Sequence, residues 1–91
     1  MIARRLIITG RVQRVWYRDW TVATAEALGL RGWVRNRRDG SVEALIAGEA
    51  EAVARMIAAC HDGPPDAEVS AVAVEETETG DLARFERRPT A

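Results

Sequence analysis

The alternation of strand-like and helix-like patterns along the chain is the feature that most restricts its fold. Four segments in which apolar side chains form short runs or alternate with polar ones are predicted strands, at residues 3–9, 30–36, 41–47 and 68–75. Two segments in which apolar residues recur every three or four positions are predicted helices, at residues 19–28 and 49–61. The order of these elements is β-α-β-β-α-β, and Phe85 marks a candidate short final strand.

This order predicts an α+β fold of the ferredoxin-like, split β-α-β type, a sandwich in which two helices cover one face of an antiparallel sheet. The turn residues agree with it, since Gly29 follows the first helix, residues 37–40 join two strands, and Gly63-Pro64-Pro65 ends the second helix. With 47% apolar residues the chain can build a core without a disulfide. No linker, repeat or low-complexity stretch interrupts it, so residues 1–91 are interpreted as a single domain.

Cysteine and histidine are too scarce for several kinds of site. Cys60 is the only cysteine and His61 the only histidine, which excludes a disulfide framework and the usual multi-histidine zinc sites. Cys60 lies on the apolar face of its predicted helix, so we expect it in the core, and we expect His61 to be solvated. The first ten residues hold no apolar run long enough for a signal peptide or a membrane span. We therefore expect a cytoplasmic protein that binds neither a metal nor a membrane.

Charge is divided unevenly along the chain. All 13 basic residues are arginine, and nine of them lie between Arg4 and Arg38, where two carboxylates oppose them and the charge is about +7. Residues 39–91 carry about −8, which brings the net charge to −1. The basic half is compatible with nucleic acid, with an anionic small molecule or with a solvated surface, and charge alone does not decide among them.

The segment between the first strand and the first helix has the features of an anion site. No proline interrupts it, so every backbone N–H group can donate, and N–H groups at a helix N-terminus favour anions through the helix dipole. An arginine at this positive helix end, Arg18, suggests a guanidinium that holds a phosphate with two hydrogen bonds. The alternative is a solvated Arg18 that partly pairs with Asp19. The candidate phosphate-binding residues are Arg11, Val12, Gln13, Arg14, Val15, Trp16, Tyr17 and Arg18.

The predicted fold serves enzymes, RNA-binding modules, metal carriers and regulatory domains, so it does not decide the function. The RNA-binding version presents aromatic residues at mid-strand positions, in a pattern that this sequence lacks. The metal-carrying version needs paired cysteines in its first loop, and this loop has none. The residues that can still indicate the function are therefore those of the first loop and of the second predicted strand.

Two motifs in these segments resemble the signatures of the acylphosphatase family. The first motif is Gly10-Arg11-Val12-Gln13, followed by Val15, Tyr17 and Arg18. The second motif is Gly32-Trp33-Val34-Arg35-Asn36, followed by Asp39-Gly40 and Val42. The similarity continues in Leu28-Gly29-Leu30 and Gly63-Pro64-Pro65, so it covers nearly the whole chain.

The resemblance implies an enzyme that hydrolyses the carboxyl–phosphate bond of small-molecule acyl phosphates, without a metal or an organic cofactor. It implies that Arg18 binds the phosphate with the loop N–H groups, that Asn36 orients the attacking water, and that inorganic phosphate inhibits as a product. An amide suits that role because it accepts from water and donates to a phosphate oxygen. The alternative for Asn36 is a turn-forming residue before the hairpin. We expect a monomer.

Two residues depart from the family's first signature. Arg14 stands where the family has glycine, which would allow a positive φ or a close approach to phosphate, and Trp16 stands where a smaller residue is common. Two alternatives to an acylphosphatase stay open, and the departure at Arg14 bears on the first of them. One is a non-catalytic anion-binding or regulatory domain. The other, which we do not favour, is a nucleic-acid-binding module that uses Trp16, Tyr17 and Trp33 with the arginines. Trp16 and Trp33 are also candidates for lining the mouth of an acyl-group site.

Overall fold

The computed structural model describes residues 1–91. Its elements are β1 (Ile2–Arg11), α1 (Tyr17–Ala27), β2 (Arg31–Asn36), β3 (Val42–Gly48), α2 (Ala50–Cys60), β4 (Glu68–Thr77) and β5 (Phe85–Arg87). The predicted ferredoxin-like order is confirmed, and no predicted boundary is wrong by more than two residues. The short strand at Phe85 is confirmed as well.

The five strands form one sheet in the order β4-β1-β3-β2-β5. The pairs between the first four strands are antiparallel, as predicted, but β5 lies parallel to β2, with Phe85 opposite Gly32. The sheet is therefore mixed. β4 lies at one edge of the sheet, and residues 78–84 take the chain to the opposite edge, where β5 pairs with β2. Because no tight hairpin joins β2 to β5, these two strands can run in the same direction.

Residues 88–91 continue the pairing of β5 along the edge of β2. The N–H of Arg88 donates to the carbonyl of Val34 at 2.8 Å, and the N–H of Ala91 donates to the carbonyl of Asn36 at 3.0 Å. The N–H of Arg38 donates back to the carbonyl of Ala91 at 3.0 Å. This segment fixes the backbone of Asn36 at the end of its strand.

The core lies between the sheet and the two helices. Side chains that alternate along the strands, such as Leu6, Ile8 and Ile46, pack against Met56 and other residues of the helices. Cys60 is fully buried in this cluster, so the prediction that it packs in the core is confirmed.

The other face of the sheet carries a buried carboxylate, Glu43. It alternates with the core residues of β3 and so points away from the helices, yet its side chain is only 3% exposed because Arg5 and Arg35 cover it. Arg5 Nε donates to Glu43 Oε2 at 2.5 Å, and Arg35 Nε donates to Oε1 at 2.7 Å. Burial raises the pKa of Glu43, but the two hydrogen bonds and the positive charges of Arg35 and Arg5 together outweigh it and leave this pKa below the ordinary value.

Candidate active site

The loop between β1 and α1 contains two residues with left-handed backbone conformation. Arg14 has φ 64° and Trp16 has φ 66°, whereas no other residue between Arg11 and Arg18 has a positive φ. Alternation of left-handed with other conformations turns successive N–H groups toward one side and creates an anion-binding concavity. The positive φ considered for position 14 is confirmed. The one at Trp16 could not be inferred, because tryptophan has no preference for this conformation.

The helix α1 starts directly from this strained loop. Trp16 is its N-cap, and the carbonyl of Trp16 accepts a hydrogen bond from Trp20 at 3.0 Å. The helix therefore begins two residues earlier than the sequence predicted, and Tyr17 and Arg18 lie in its first turn rather than in the loop. No side chain caps this helix, so its first N–H groups stay available.

The N–H groups of residues 12–19 donate no hydrogen bond within the protein. Three of these eight residues, Val12, Val15 and Tyr17, are buried, and buried backbone donors in folded proteins almost always have a partner. A continuous run of free donors at a helix N-terminus is the structural requirement for binding a phosphate-like anion.

Arg18 stands in the first turn of α1, half-buried and without a carboxylate within 4 Å. Arg18 does not pair with Asp19, whose Oδ1 accepts a hydrogen bond from Arg87 at 2.9 Å, so this part of the alternative is wrong. Arg14 is also free of carboxylates and is exposed. The loop thus presents two unpaired guanidinium groups beside its N–H groups.

Asn36 ends β2 and faces the same cleft. Its side chain makes no hydrogen bond within the protein, so the amide is free to bind a water molecule or a ligand. The interpretation of Asn36 as a turn-forming residue is wrong, since Asp39 organises the turn by accepting hydrogen bonds from Ser41 N and Oγ. These bonds also hold the pKa of Asp39 below its ordinary value.

A cleft of about 220 Å³ joins these groups. Its lining residues are Val12, Arg14, Trp16, Tyr17, Arg18, Asp19, Asn36 and Arg87. The sequence therefore placed Arg18 and Asn36 correctly in one cleft. Asp19 and Arg87 were missed as lining residues, because the position of Arg87 depends on the parallel pairing of β5.

Three of the predicted loop residues do not line the cleft with their side chains. Arg11 is exposed, and its Nη2 lies 3.6 Å from Oε1 of Glu68. Val15 is buried in the core. Gln13 holds the loop in place, since its Nε2 donates to the carbonyls of Arg37 and Ser41, both at 2.8 Å. The side chain of Gln13 thus links the loop to the hairpin that follows Asn36.

Tyr17 anchors the beginning of α1 to the end of α2. Its hydroxyl donates to the carbonyl of Cys60 at 2.6 Å, and its ring covers Gly63, where a Cβ atom would lie 2.5 Å from the ring. Burial raises the pKa of Tyr17 above its ordinary range, and burial raises the pKa of the Cys60 thiol to about 11. Both groups are neutral at physiological pH, and neither is a candidate nucleophile.

The remaining candidate residues lie outside the cleft. Trp33 contacts two arginines, since the guanidinium carbons of Arg35 and Arg88 lie 4.7 and 5.0 Å from its ring centroid. Because Trp33 does not line the cleft and Tyr17 is buried, the three aromatic residues considered for nucleic-acid binding do not form one surface. His61 is exposed, as predicted. The chain contains no group of three or more potential metal ligands, and none of its helices is long and apolar enough to span a membrane.

The fold and the cleft together define a ferredoxin-like α+β protein with an anion-binding loop at a helix N-terminus. The sequence profile of the acylphosphatase family matches residues 4–87. An acylphosphatase of Rhizorhabdus wittichii is 52% identical over 89 residues, which cover 98% of this chain and 90% of that protein. An acylphosphatase of Azoarcus sp. is 53% identical over 90 residues, which cover 99% and 92%.

Structural comparison agrees with the sequence comparison. The crystal structure of an acylphosphatase from Bacillus subtilis superimposes with a TM-score of 0.94 at 35% identity, covering 97% of this chain and 99% of that chain. The chain belongs to the acylphosphatase family. The resemblance carried by the two motifs is therefore confirmed, and with it the assignment to an enzyme family that acts on small-molecule acyl phosphates.

Proposed function

We propose that the cleft between the β1–α1 loop and the end of β2 hydrolyses acyl phosphates to a carboxylate and inorganic phosphate. The observation that carries this proposal is the run of free N–H groups at residues 12–19, which shares one cleft with Arg18 and Asn36. Family membership supports the same reaction. Neither a metal nor an organic cofactor enters the proposal.

The phosphate group is held by the loop and by Arg18. The free N–H groups donate to its nonbridging oxygens, and the guanidinium donates two further hydrogen bonds while it compensates the negative charge. Charge develops on these oxygens during phosphoryl transfer, so donors that are already in place stabilise the transition state without having to reorganise. Tyr17 and Gln13 keep the loop in this geometry through their contacts with α2 and the hairpin.

The attacking water is oriented by Asn36. Its amide carbonyl accepts a hydrogen bond from the water, and its NH2 group donates to the phosphate. The water oxygen forms a bond to phosphorus, the bond between phosphorus and the acyl oxygen breaks, and its electron pair leaves with the carboxylate. Both protons of the water remain on the phosphate product, one of them after transfer to a nonbridging oxygen. A carboxylate is a weak base, so it departs without a proton donor, and positioning supplies most of the rate enhancement.

Release of phosphate from benzoyl phosphate tests the proposal. We expect Arg18→Ala to raise KM and to lower kcat, since the guanidinium acts on the bound substrate and on the transition state, with a combined loss in kcat/KM of about 100- to 1,000-fold. Arg31→Ala is the matched control, because Arg31 is an exposed arginine outside the cleft. A chelator should leave the wild-type rate unchanged.

Asn36→Ala separates catalysis from binding. We expect kcat to fall about 100-fold while the affinity for inorganic phosphate is largely kept, because the oriented water is needed only for the reaction. Wild-type turnover in this variant would contradict the role of Asn36. Phosphate binding by the wild type without any hydrolysis would instead favour the alternative of a non-catalytic anion-binding domain.

A further inference from the structure

Trp16 combines two unfavourable properties at the edge of the cleft. Its side chain is 74% exposed, and its backbone has a φ of 66°, which side chains of L-residues rarely adopt. An exposed indole in this position offers a large apolar surface that a ligand in the cleft can cover. Trp16 also lines the cleft, beside the proposed phosphate-binding groups.

The charges around the cleft indicate which kind of ligand reaches Trp16. Three arginines and one carboxylate line the cleft, and Arg87 is already paired with Asp19 at 2.9 Å. Arg14 and Arg18 remain unpaired, and their two positive charges match a dianionic phosphate group. Once that phosphate is bound, its charge balances the net charge of the cleft residues, so no net positive charge remains to attract a second anionic group on the acyl side.

We propose that Trp16 determines specificity in this chain by favouring acyl phosphates whose acyl group is apolar, and above all aromatic, through contact with the exposed indole ring. The proposal rests on the acyl phosphate hydrolysis proposed above and names the substrate class of the same cleft. The exposed apolar surface of the indole is the part of the cleft edge that an acyl group can cover without losing hydrogen bonds to water. Acyl phosphates with a carboxylate on the acyl group gain nothing from it.

The test compares kcat/KM for benzoyl, acetyl and succinyl phosphate in the wild type, Trp16→Phe and Trp16→Ala. An aromatic contact of ordinary strength corresponds to a change of about 3- to 10-fold, so the ratio of benzoyl to acetyl phosphate should fall by this factor in Trp16→Ala. Trp16→Phe should keep most of the ratio. Trp16→Gly also lacks the ring but tolerates the positive φ, so it shows whether backbone strain influences the result.

Trp33→Ala is the matched control, because it removes an indole that lies outside the cleft and should leave the ratio unchanged. Equal loss for all three substrates in Trp16→Ala would show that Trp16 only shapes the loop, and it would overturn the proposal. A wild-type preference for succinyl phosphate would overturn it as well.

Titration calorimetry with benzylphosphonate and methylphosphonate distinguishes this inference from the proposed function, since neither probe requires turnover. Tighter binding of benzylphosphonate, lost in Trp16→Ala, supports the role of Trp16 even in a chain that hydrolyses nothing. Equal affinity for the two phosphonates in the wild type contradicts it, whether or not benzoyl phosphate is hydrolysed.

Discussion

At Arg14 the backbone and the side chain act on the cleft in opposite directions. The left-handed conformation costs about 1–2 kcal/mol for a residue with a Cβ atom, whereas the exposed guanidinium adds positive potential at the mouth of the cleft. At physiological salt this potential is screened over about 8 Å, but the backbone strain is independent of salt. We therefore expect the strain to be the larger and more persistent effect.

Arg14→Gly should therefore stabilise the protein. Relief of strain is partly offset by the greater freedom of glycine in the unfolded chain, so we expect a gain of about 0.5–1 kcal/mol, seen as a higher Tm. We also expect the dependence of kcat/KM on salt to weaken. Thermal unfolding and kinetics at low and high salt measure both effects. A variant that is less stable and also less active would show that the Arg14 side chain is needed in the phosphate loop.

Single residues also show how far sequence reasoning reaches. Arg18 and Asn36 could be assigned to the site because each belongs to a motif with fixed spacing. The Asp19–Arg87 pair could not be placed, since its members are 68 residues apart and no local pattern records which distant side chains meet. The role of Gln13 was missed for a similar reason, because its partners are carbonyl groups of the hairpin and carry no side-chain signal.

At the scale of elements, the β1–α1 loop is held in place by contacts with neighbouring elements rather than by hydrogen bonds within the loop. No hydrogen bond is made by its N–H groups, and two of its residues have unfavourable φ angles. The side chain of Gln13 attaches it to the β2–β3 hairpin, and Tyr17 attaches it to α2. The geometry of the cleft therefore depends on contacts made outside the cleft.

Gln13→Ala should lower both stability and activity. The substitution leaves the carbonyls of Arg37 and Ser41 without this donor, and we expect a loss of about 1–3 kcal/mol in the free energy of unfolding. Because the loop is then less well positioned, kcat/KM should fall by more than the fraction of unfolded protein explains. Urea unfolding and benzoyl phosphate kinetics measure the two losses. Unchanged kinetics at full folding would contradict a positioning role for Gln13.

Periodicity located both helices and the four long strands because each element buries one face. The three residues of β5 are too few for a period, and the direction of this strand depends on the edge that the chain reaches after β4. The predicted start of α1, at Asp19, lies two residues too late, because the apolar periodicity used to locate the helix does not mark its first turn. The actual boundary is set by the backbone of Trp16, which the sequence does not reveal.

At the scale of the whole molecule, Glu43 makes the free energy of unfolding depend on pH. This residue lies on the face of the sheet that the helices do not cover. Because its pKa is depressed in the folded protein, Glu43 contributes stability above its unfolded pKa of about 4.3, and this contribution is lost as the pH falls through the folded value. The depressed pKa of Asp39 acts in the same direction.

Glu43→Gln should therefore lower stability at pH 7 by about 1–3 kcal/mol, since the arginines lose hydrogen bonds to a buried charge. Between about pH 5 and pH 3 its stability should fall less steeply than that of the wild type. Denaturant titrations across this range compare the two proteins. Glu76→Gln is the control, because Glu76 is exposed and its pair with Arg4 at 3.8 Å should contribute little. Parallel curves for wild type and Glu43→Gln would contradict the argument.

Inorganic phosphate should stabilise the whole molecule, because it binds the folded state and not the unfolded chain. At 100 times its dissociation constant we expect a gain of about 2.7 kcal/mol, with a higher Tm and competitive inhibition. Chloride at equal ionic strength is the control for screening. Calorimetry that detects no phosphate binding at millimolar concentration would contradict the anion site.

The parallel pairing of β5 with β2 also bears on how the molecule folds. β4 pairs with β1 and β5 pairs with β2 although more than 50 residues separate the paired positions, and Asp19 meets Arg87 across a separation of 68 residues. Chains dominated by such distant contacts fold slowly, in milliseconds to seconds, because loop closure precedes most of the stabilising contacts. The β2–β3 hairpin can form early, whereas the side of the cleft that contains Arg87 forms only when β5 pairs with β2. Any nascent chain that has not yet released β5 from the ribosome therefore lacks one side of the cleft.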